Sequence, residues 1–123
     1  MVDYIYRSDR RFQVWRYIVS HKQLLLRSPK DNENSTRIDL LFKVVDLMNI
    51  PTSLKGLALS KAADNSSAVL PINFALSQGS HIFRVDSSSY VGYVVAAYYF
   101  FHEDEKEYDD ESAFQSILWG GSL

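Results

Sequence analysis

Apolar residues recur along this chain in short runs that polar turns separate, a pattern typical of antiparallel β proteins. The segment Arg10 to Ser28 predicts a hairpin whose turn spans residues 20–22. His81 to Asp86 predicts a short strand. Tyr90 to Phe101 has no charge and places apolar side chains on both faces, so it predicts a long strand in the centre of the fold. Gly92 within that strand would permit close packing or a β-bulge.

The segment Arg37 to Met48 fits two periods. Apolar residues at every second position from Ile38 to Val44 have the period of a strand, whereas apolar residues between Ile38 and Met48 also fit one face of a helix. The strand is favoured because the neighbouring segments have the pattern of hairpins.

These patterns predict one domain over residues 1–123 that is mostly β, an antiparallel sandwich or barrel of about seven or eight strands. Pro71 makes the segment Val69 to Leu76 an edge strand or the start of a strand. A short C-terminal helix is predicted from Glu111 to Trp119, because acids stand at its start and two glycines follow it. An α+β fold is the alternative if residues 37–48 are helical.

The composition of the 123 residues, 46% hydrophobic and 23% charged, is that of an ordinary globular protein. The chain has no cysteine, which excludes disulfides, a thiolate nucleophile and cysteine-ligated zinc and fits a reducing compartment. No cleaved export signal is visible, and the longest apolar run is shorter than the roughly 20 residues of a membrane helix. The sequence therefore predicts a cytoplasmic protein without a membrane partner.

Charge is distributed unevenly along the chain and is concentrated near the C-terminal end. The net charge is −2, but residues 103–111 alone carry seven carboxylates and one lysine. The remaining residues carry 12 lysines and arginines and eight carboxylates, so the body of the protein is mildly basic. Residues 103–111 form the acidic segment. This segment either lies across that basic surface or faces a partner.

Signals for catalysis or cofactors are weak. The three histidines, His21, His81 and His102, have no metal-ligand spacing, and the chain has no glycine-rich phosphate loop. The sequence therefore predicts no catalytic residue, no metal and no cofactor. Arginines alternate with aromatic residues between Arg10 and Tyr17, as on a sheet that binds single-stranded nucleic acid, but the pI near 5.9 argues against that partner.

Three other carboxylates, Asp39, Asp46 and Asp86, stand within or at the end of apolar strands. Such positions favour perturbed pKa values if the groups are buried. The sequence favours the simpler arrangement for each, an outward-facing carboxylate beside Arg37, Lys43 or Arg84.

The combined pattern favours a small non-catalytic protein that binds a partner with a basic surface, in the manner of an inhibitor or immunity protein. The residues predicted to bind the partner are Glu103, Asp104, Glu105, Tyr108, Asp109, Asp110 and Glu111. The alternative is a ligand-binding or hydrolytic β domain in which His21, His81 or His102 meets Asp39 or Asp86 in a pocket. A third possibility is a homo-oligomer that forms through exposed strand edges near Val69 to Leu76.

Overall fold

Eight strands form one open antiparallel sheet in the computed structural model, which describes residues 4–62, 78–88 and 90–107. The strands are β1 (Tyr4–Ile18), β2 (Gln23–Ser28), β3 (Arg37–Lys43), β4 (Leu47–Asn49), β5 (Ser53–Lys61), β6 (His81–Asp86), β7 (Val91–Ala96) and β8 (Tyr98–Asp104). Their order in the sheet is β4-β7-β6-β5-β1-β2-β3-β8, so β4 and β8 are its edges. The prediction of a mostly antiparallel β fold is confirmed, and residues 37–43 are a strand, not a helix.

The sheet coils so that its two halves face each other. The long strand β1 pairs with β5 through residues 4–13 and with β2 through residues 13–18, so it joins the two halves. Phe83 of β6 contacts Phe42 of β3 and Tyr99 of β8, with ring centroids 5.6 and 5.4 Å apart. These strands are far apart in the sheet order, so the contacts show that the sheet folds over on itself as in a sandwich.

The core lies between the two halves. It comprises Phe12, Leu24, Leu26, Ile38, Leu40, Phe42, Val45, Leu54, Leu57, Leu59, Phe83, Val85, Val94 and Ala96. Ile38, Leu40 and Phe42 reach it because alternate residues of a strand point to the same face. Burial of each large apolar side chain stabilises the fold by about 1.5–3 kcal/mol.

The apolar run from Tyr90 to Phe101 is two strands and not the single strand that the sequence predicts. The chain leaves β7, which pairs with β4 and β6, and passes through Ala97 into β8, which pairs with β3 at the far edge of the sheet. The expected close approach at Gly92 is confirmed, since a Cβ there would lie 2.1 Å from the backbone oxygen of Asn49.

Two turns hold non-glycine residues with left-handed backbone. Lys22 (φ 51°) ends the 3-10 turn Val19–His21 between β1 and β2, and Val44 (φ 58°) directly follows β3. The backbone nitrogen of Val45 donates a hydrogen bond to the oxygen of Lys22, so the two turns support each other.

The predicted C-terminal helix, residues 111–119, and the predicted edge strand, residues 69–76, lie outside the described residues.

Candidate partner-binding surface

Strand β8 presents a row of aromatic side chains to solvent. Tyr99 and Phe101 pack against the core, whereas Tyr98, Phe100 and His102 point to the opposite face. Tyr98 is 58% exposed and Phe100 is 37% exposed. Large exposed aromatic residues side by side on an edge strand are typical of interaction surfaces.

The acidic segment begins inside this strand. Glu103 and Asp104 are the last two residues of β8, so the strand runs three residues beyond the apolar segment that predicted it. The hydroxyl of Thr36 donates a hydrogen bond of 2.5 Å to Oε2 of Glu103, and Nη1 of Arg10 lies 3.9 Å from the same oxygen. The side chain of Glu103 is still 56% exposed.

Asp104, which the sequence predicts to bind the partner, is mostly buried. Its side chain is 16% exposed, and Oδ2 lies 3.2 Å from Nη2 of Arg37, whose own side chain is fully buried. Burial alone would raise the pKa of Asp104, but hydrogen bonds from the backbone of Lys106 and from Arg37, together with the charges of Arg37 and His102, hold that pKa below its usual value. Nε2 of His102 lies 3.5 Å from the carboxylate.

The described part of the acidic segment, residues 103–107, lies along basic side chains of the body. Lys30 Nζ donates hydrogen bonds to the side chain of Glu107 (3.0 Å) and to the backbone oxygen of Glu105 (3.3 Å). Arg37 Nη1 donates to the backbone oxygen of Glu107 at 3.1 Å. Glu107 keeps 70% of its side chain exposed, so the contacts fix the backbone while the carboxylate remains accessible. Tyr108, Asp109, Asp110 and Glu111 lie outside the described residues.

A buried ionic cluster lies directly beneath this segment. Arg27 binds Asp39 through two hydrogen bonds, 2.7 Å from Nε and 3.2 Å from Nη2, and both side chains are at most 2% exposed. Arg37 Nη2 lies 4.0 Å from the same carboxylate, and the Arg27 guanidinium stands 4.9 Å from the centre of the Trp15 ring. The expectation of an outward-facing Asp39 is therefore wrong.

The carboxylates of Asp46 and Asp86, unlike that of Asp39, have partners close to the surface. Asp46 accepts hydrogen bonds from Lys22 Nζ and from the hydroxyl of Ser80, each 3.2 Å long. Asp86 accepts a hydrogen bond of 2.9 Å from Nε of Arg84, which is the neighbour that the sequence predicts. Both carboxylates are therefore held by cations of the same chain.

The three histidines lie on three different elements. His21 belongs to the 3-10 turn, His81 is the first residue of β6, and His102 lies in β8. Among the described residues, no group of three or more histidine, aspartate or glutamate side chains is placed to hold a metal ion.

One cavity lies away from β8. It has a volume of about 610 Å³ and is an open trough between β1, β5 and the end of β6. Arg7, Asp9, Lys55 and Asp86 contribute charged groups of both signs to its lining, and Arg7 stacks over the ring of Tyr4 at 4.7 Å. A smaller cavity of about 230 Å³ includes His81 beside Tyr98 and Phe100.

No protein-family model, curated protein or solved structure matches this chain. No helix among the described residues has the length and hydropathy that a membrane span requires. Function must therefore be argued from the surface itself.

Sequence reasoning located the acidic residues of that surface but missed the ionic cluster beneath it. The sequence did hold one sign of this cluster: Arg27 and Asp39 each stand inside a strand that is apolar on both faces, where a charged side chain needs a partner.

Proposed function

We propose that this protein binds a partner protein with a basic surface through a surface formed by strand β8 and the acidic segment. The observation that carries the proposal is the continuity of two features on one edge of the sheet. Along this edge strand the exposed rings of Tyr98 and Phe100 are followed by the exposed carboxylate of Glu103, on the opposite face of the strand, and by that of Glu105. Aromatic anchors supply affinity at interfaces, and surrounding charges supply association rate and specificity.

Within this proposal the acidic residues divide into two groups. Asp104 holds the segment to the body through Arg37, and the backbone of Glu107 receives a second hydrogen bond from the same guanidinium. Glu103 and Glu105 have exposed side chains and are available to a partner. Asp109, Asp110 and Glu111, with Tyr108, extend the proposed surface.

An acidic segment whose residues 103–107 are held to the body suits an inhibitor or immunity-type protein that neutralises a basic enzyme. An acidic surface that is ordered before binding loses less conformational entropy when the partner arrives. The ionic contacts of Lys30 and Arg37 with the segment support this pre-organisation. We expect the interaction to take place in the cytoplasm, because the absence of cysteine fits a reducing compartment.

The test is capture of partners from a lysate of the native cells by the immobilised protein at low and at moderate salt. The intact chain is compared with a variant that carries Glu103→Gln, Glu105→Gln, Asp109→Asn, Asp110→Asn and Glu111→Gln. The proposal predicts that a basic protein is retained by the intact chain, is released by salt and is lost from the variant.

A matched control separates this surface from general acidity. Asp9→Asn with Asp86→Asn removes two carboxylates from the trough on the other side of β1, where both residues line the cavity. This control should capture the same protein as the intact chain. Equal capture by the intact chain and the five-residue variant would contradict the proposal.

A further inference from the structure

The two edges of the sheet differ in how well they are protected. Strand β4 has three residues, too few to template another strand, whereas β8 has seven. Strand β8 contains no proline, and its pairing with β3 runs from Tyr98 to Asp104 without a bulge. Among the described residues, β3 is the only strand beside β8. Alternate backbone N–H and C=O groups of an edge strand point away from its one neighbour and are open to a further strand.

We propose that β8 receives an extended, basic segment of the partner as an additional strand, so that recognition includes a backbone ladder as well as opposite charges. This inference rests on the proposed function and names the kind of partner. The added strand runs antiparallel to β8, because every strand pair described in the sheet is antiparallel and antiparallel ladders are the more stable kind.

The side chains of β8 define what the added strand carries. The first half of β8 offers the aromatic rings of Tyr98 and Phe100 on one face, which pair best with aromatic or β-branched residues. The second half offers the exposed carboxylate of Glu103, and the exposed Glu105 follows the strand; both can pair with lysine or arginine, whereas Asp104 is already paired with Arg37. An antiparallel partner strand therefore begins with basic residues, near Glu103 and Glu105, and continues with β-branched residues opposite the rings.

The charges of β8 indicate whether its edge pairs with a basic segment of a partner or with a second copy of this chain. Antiparallel pairing of two β8 strands over their full length would place Tyr99 of one copy opposite Glu103 of the other, and Tyr98 opposite Asp104. No lysine or arginine of the second copy's β8 would then meet the exposed carboxylate of Glu103, because β8 contains neither residue. A basic segment supplies the missing charges, so it fits this edge better than a second copy does.

The test uses a synthetic peptide of sequence KKRTVTVT with blocked termini, titrated into the isotopically labelled intact chain and followed by amide NMR. Two analogues carry N-methyl groups on alternate residues, one on the odd positions and one on the even positions. Successive N–H groups of a strand point to opposite sides, so only one analogue loses the hydrogen bonds that face β8.

Strand addition predicts that amide shifts concentrate in β8 and that one methylated analogue binds about tenfold more weakly or not at all, while the other binds as the parent peptide does. The reversed sequence TVTVTRKK should bind more weakly than the parent peptide. Equal binding of both analogues would overturn the proposal, because attraction of charges alone does not depend on which N–H groups remain. Absence of binding, or self-association of the chain through β8, would overturn it as well.

The peptide titration and the capture experiment can fail independently of each other. Strand addition is measured by the difference between two peptides of identical charge, whereas the proposed function is measured by loss of the cellular partner when the acids are neutralised. A peptide that joins β8 as described, with capture unaffected by neutralisation, would uphold strand addition and reject the acid-dependent function.

Discussion

Arg37 at the start of β3 and Asp104 at the end of β8 form an ion pair between residues 67 positions apart, with Nη2 and Oδ2 separated by 3.2 Å. The pair closes the end of the β3–β8 ladder, where the two residues stand directly opposite each other. Because the same guanidinium also binds the backbone of Glu107, one buried cation fixes both the last strand and the start of the chain beyond it. The acidic segment is therefore built into the sheet at this point.

The Asp104→Asn variant should be less stable than the intact chain at neutral pH, and the difference should shrink in acid. The lowered pKa of Asp104 means that its contribution to stability is present above the unfolded-state pKa of about 3.9 and is lost as the pH falls through the lower folded-state pKa. Urea unfolding at pH 7 and at successively lower pH measures this. A difference that does not change with pH would contradict the assignment.

Removal of the buried charge at position 39 should be far more damaging than removal of an exposed one. Asp39→Asn removes the carboxylate that the buried guanidinium of Arg27 binds, while Arg37 keeps its pair with Asp104, and we expect the free energy of unfolding to fall by about 3–5 kcal/mol. The control is Asp86→Asn, which breaks the more exposed pair with Arg84 and should cost at most about 1 kcal/mol. Chemical denaturation measures both, and similar losses would contradict the account of the ionic cluster.

Gly92 is required by the packing of β7 against β4. A Cβ at this position would overlap the backbone oxygen of Asn49, and a backbone atom of a paired strand cannot move aside as a flexible side chain can. We expect Gly92→Ala to lower the free energy of unfolding by about 1–3 kcal/mol. Thermal unfolding beside the exposed neighbour variant Val91→Ala provides the comparison. A Gly92→Ala protein as stable as the intact chain would show that β4 does not lie this close.

Val44 offers a route to a more stable protein. A β-branched residue with φ of 58° is strained, since left-handed backbone brings its Cβ against the carbonyl oxygen, and Val44 is 41% exposed. We expect Val44→Asn to raise the free energy of unfolding by about 1 kcal/mol, because asparagine tolerates this conformation. A lower melting temperature for the variant would show that Val44 has a packing role that outweighs its strain.

The strands could be predicted from the sequence where local alternation decides them. The strand period at residues 38–44 and the apolar run at residues 90–101 both correspond to strands. The break at Ala97 could not be predicted, because the residues on either side are equally apolar and the break arises from pairing with different strands. The start of β1 at Tyr4 was missed because Arg7, Arg10 and Arg11 interrupt the apolar pattern.

The acidic residues could be located from the sequence, but their environments could not. Nothing local distinguishes Asp104 from Glu103 and Glu105, and only the fold brings Asp104 beside Arg37. The same holds for Asp39, whose partner Arg27 lies on the neighbouring strand and directly opposite it. Ionic contacts between distant segments depend on strand register, which a single sequence specifies only through the whole fold.

The most direct test of partner binding through the acidic edge is the dissociation constant of the purified, captured partner. It is measured by calorimetry for the intact chain and for Glu103→Gln with Glu105→Gln, at about 50 mM and about 300 mM salt. We predict that the variant binds about tenfold more weakly at low salt and that its affinity depends less on salt. Equal constants with equal salt dependence for the two proteins would contradict the account.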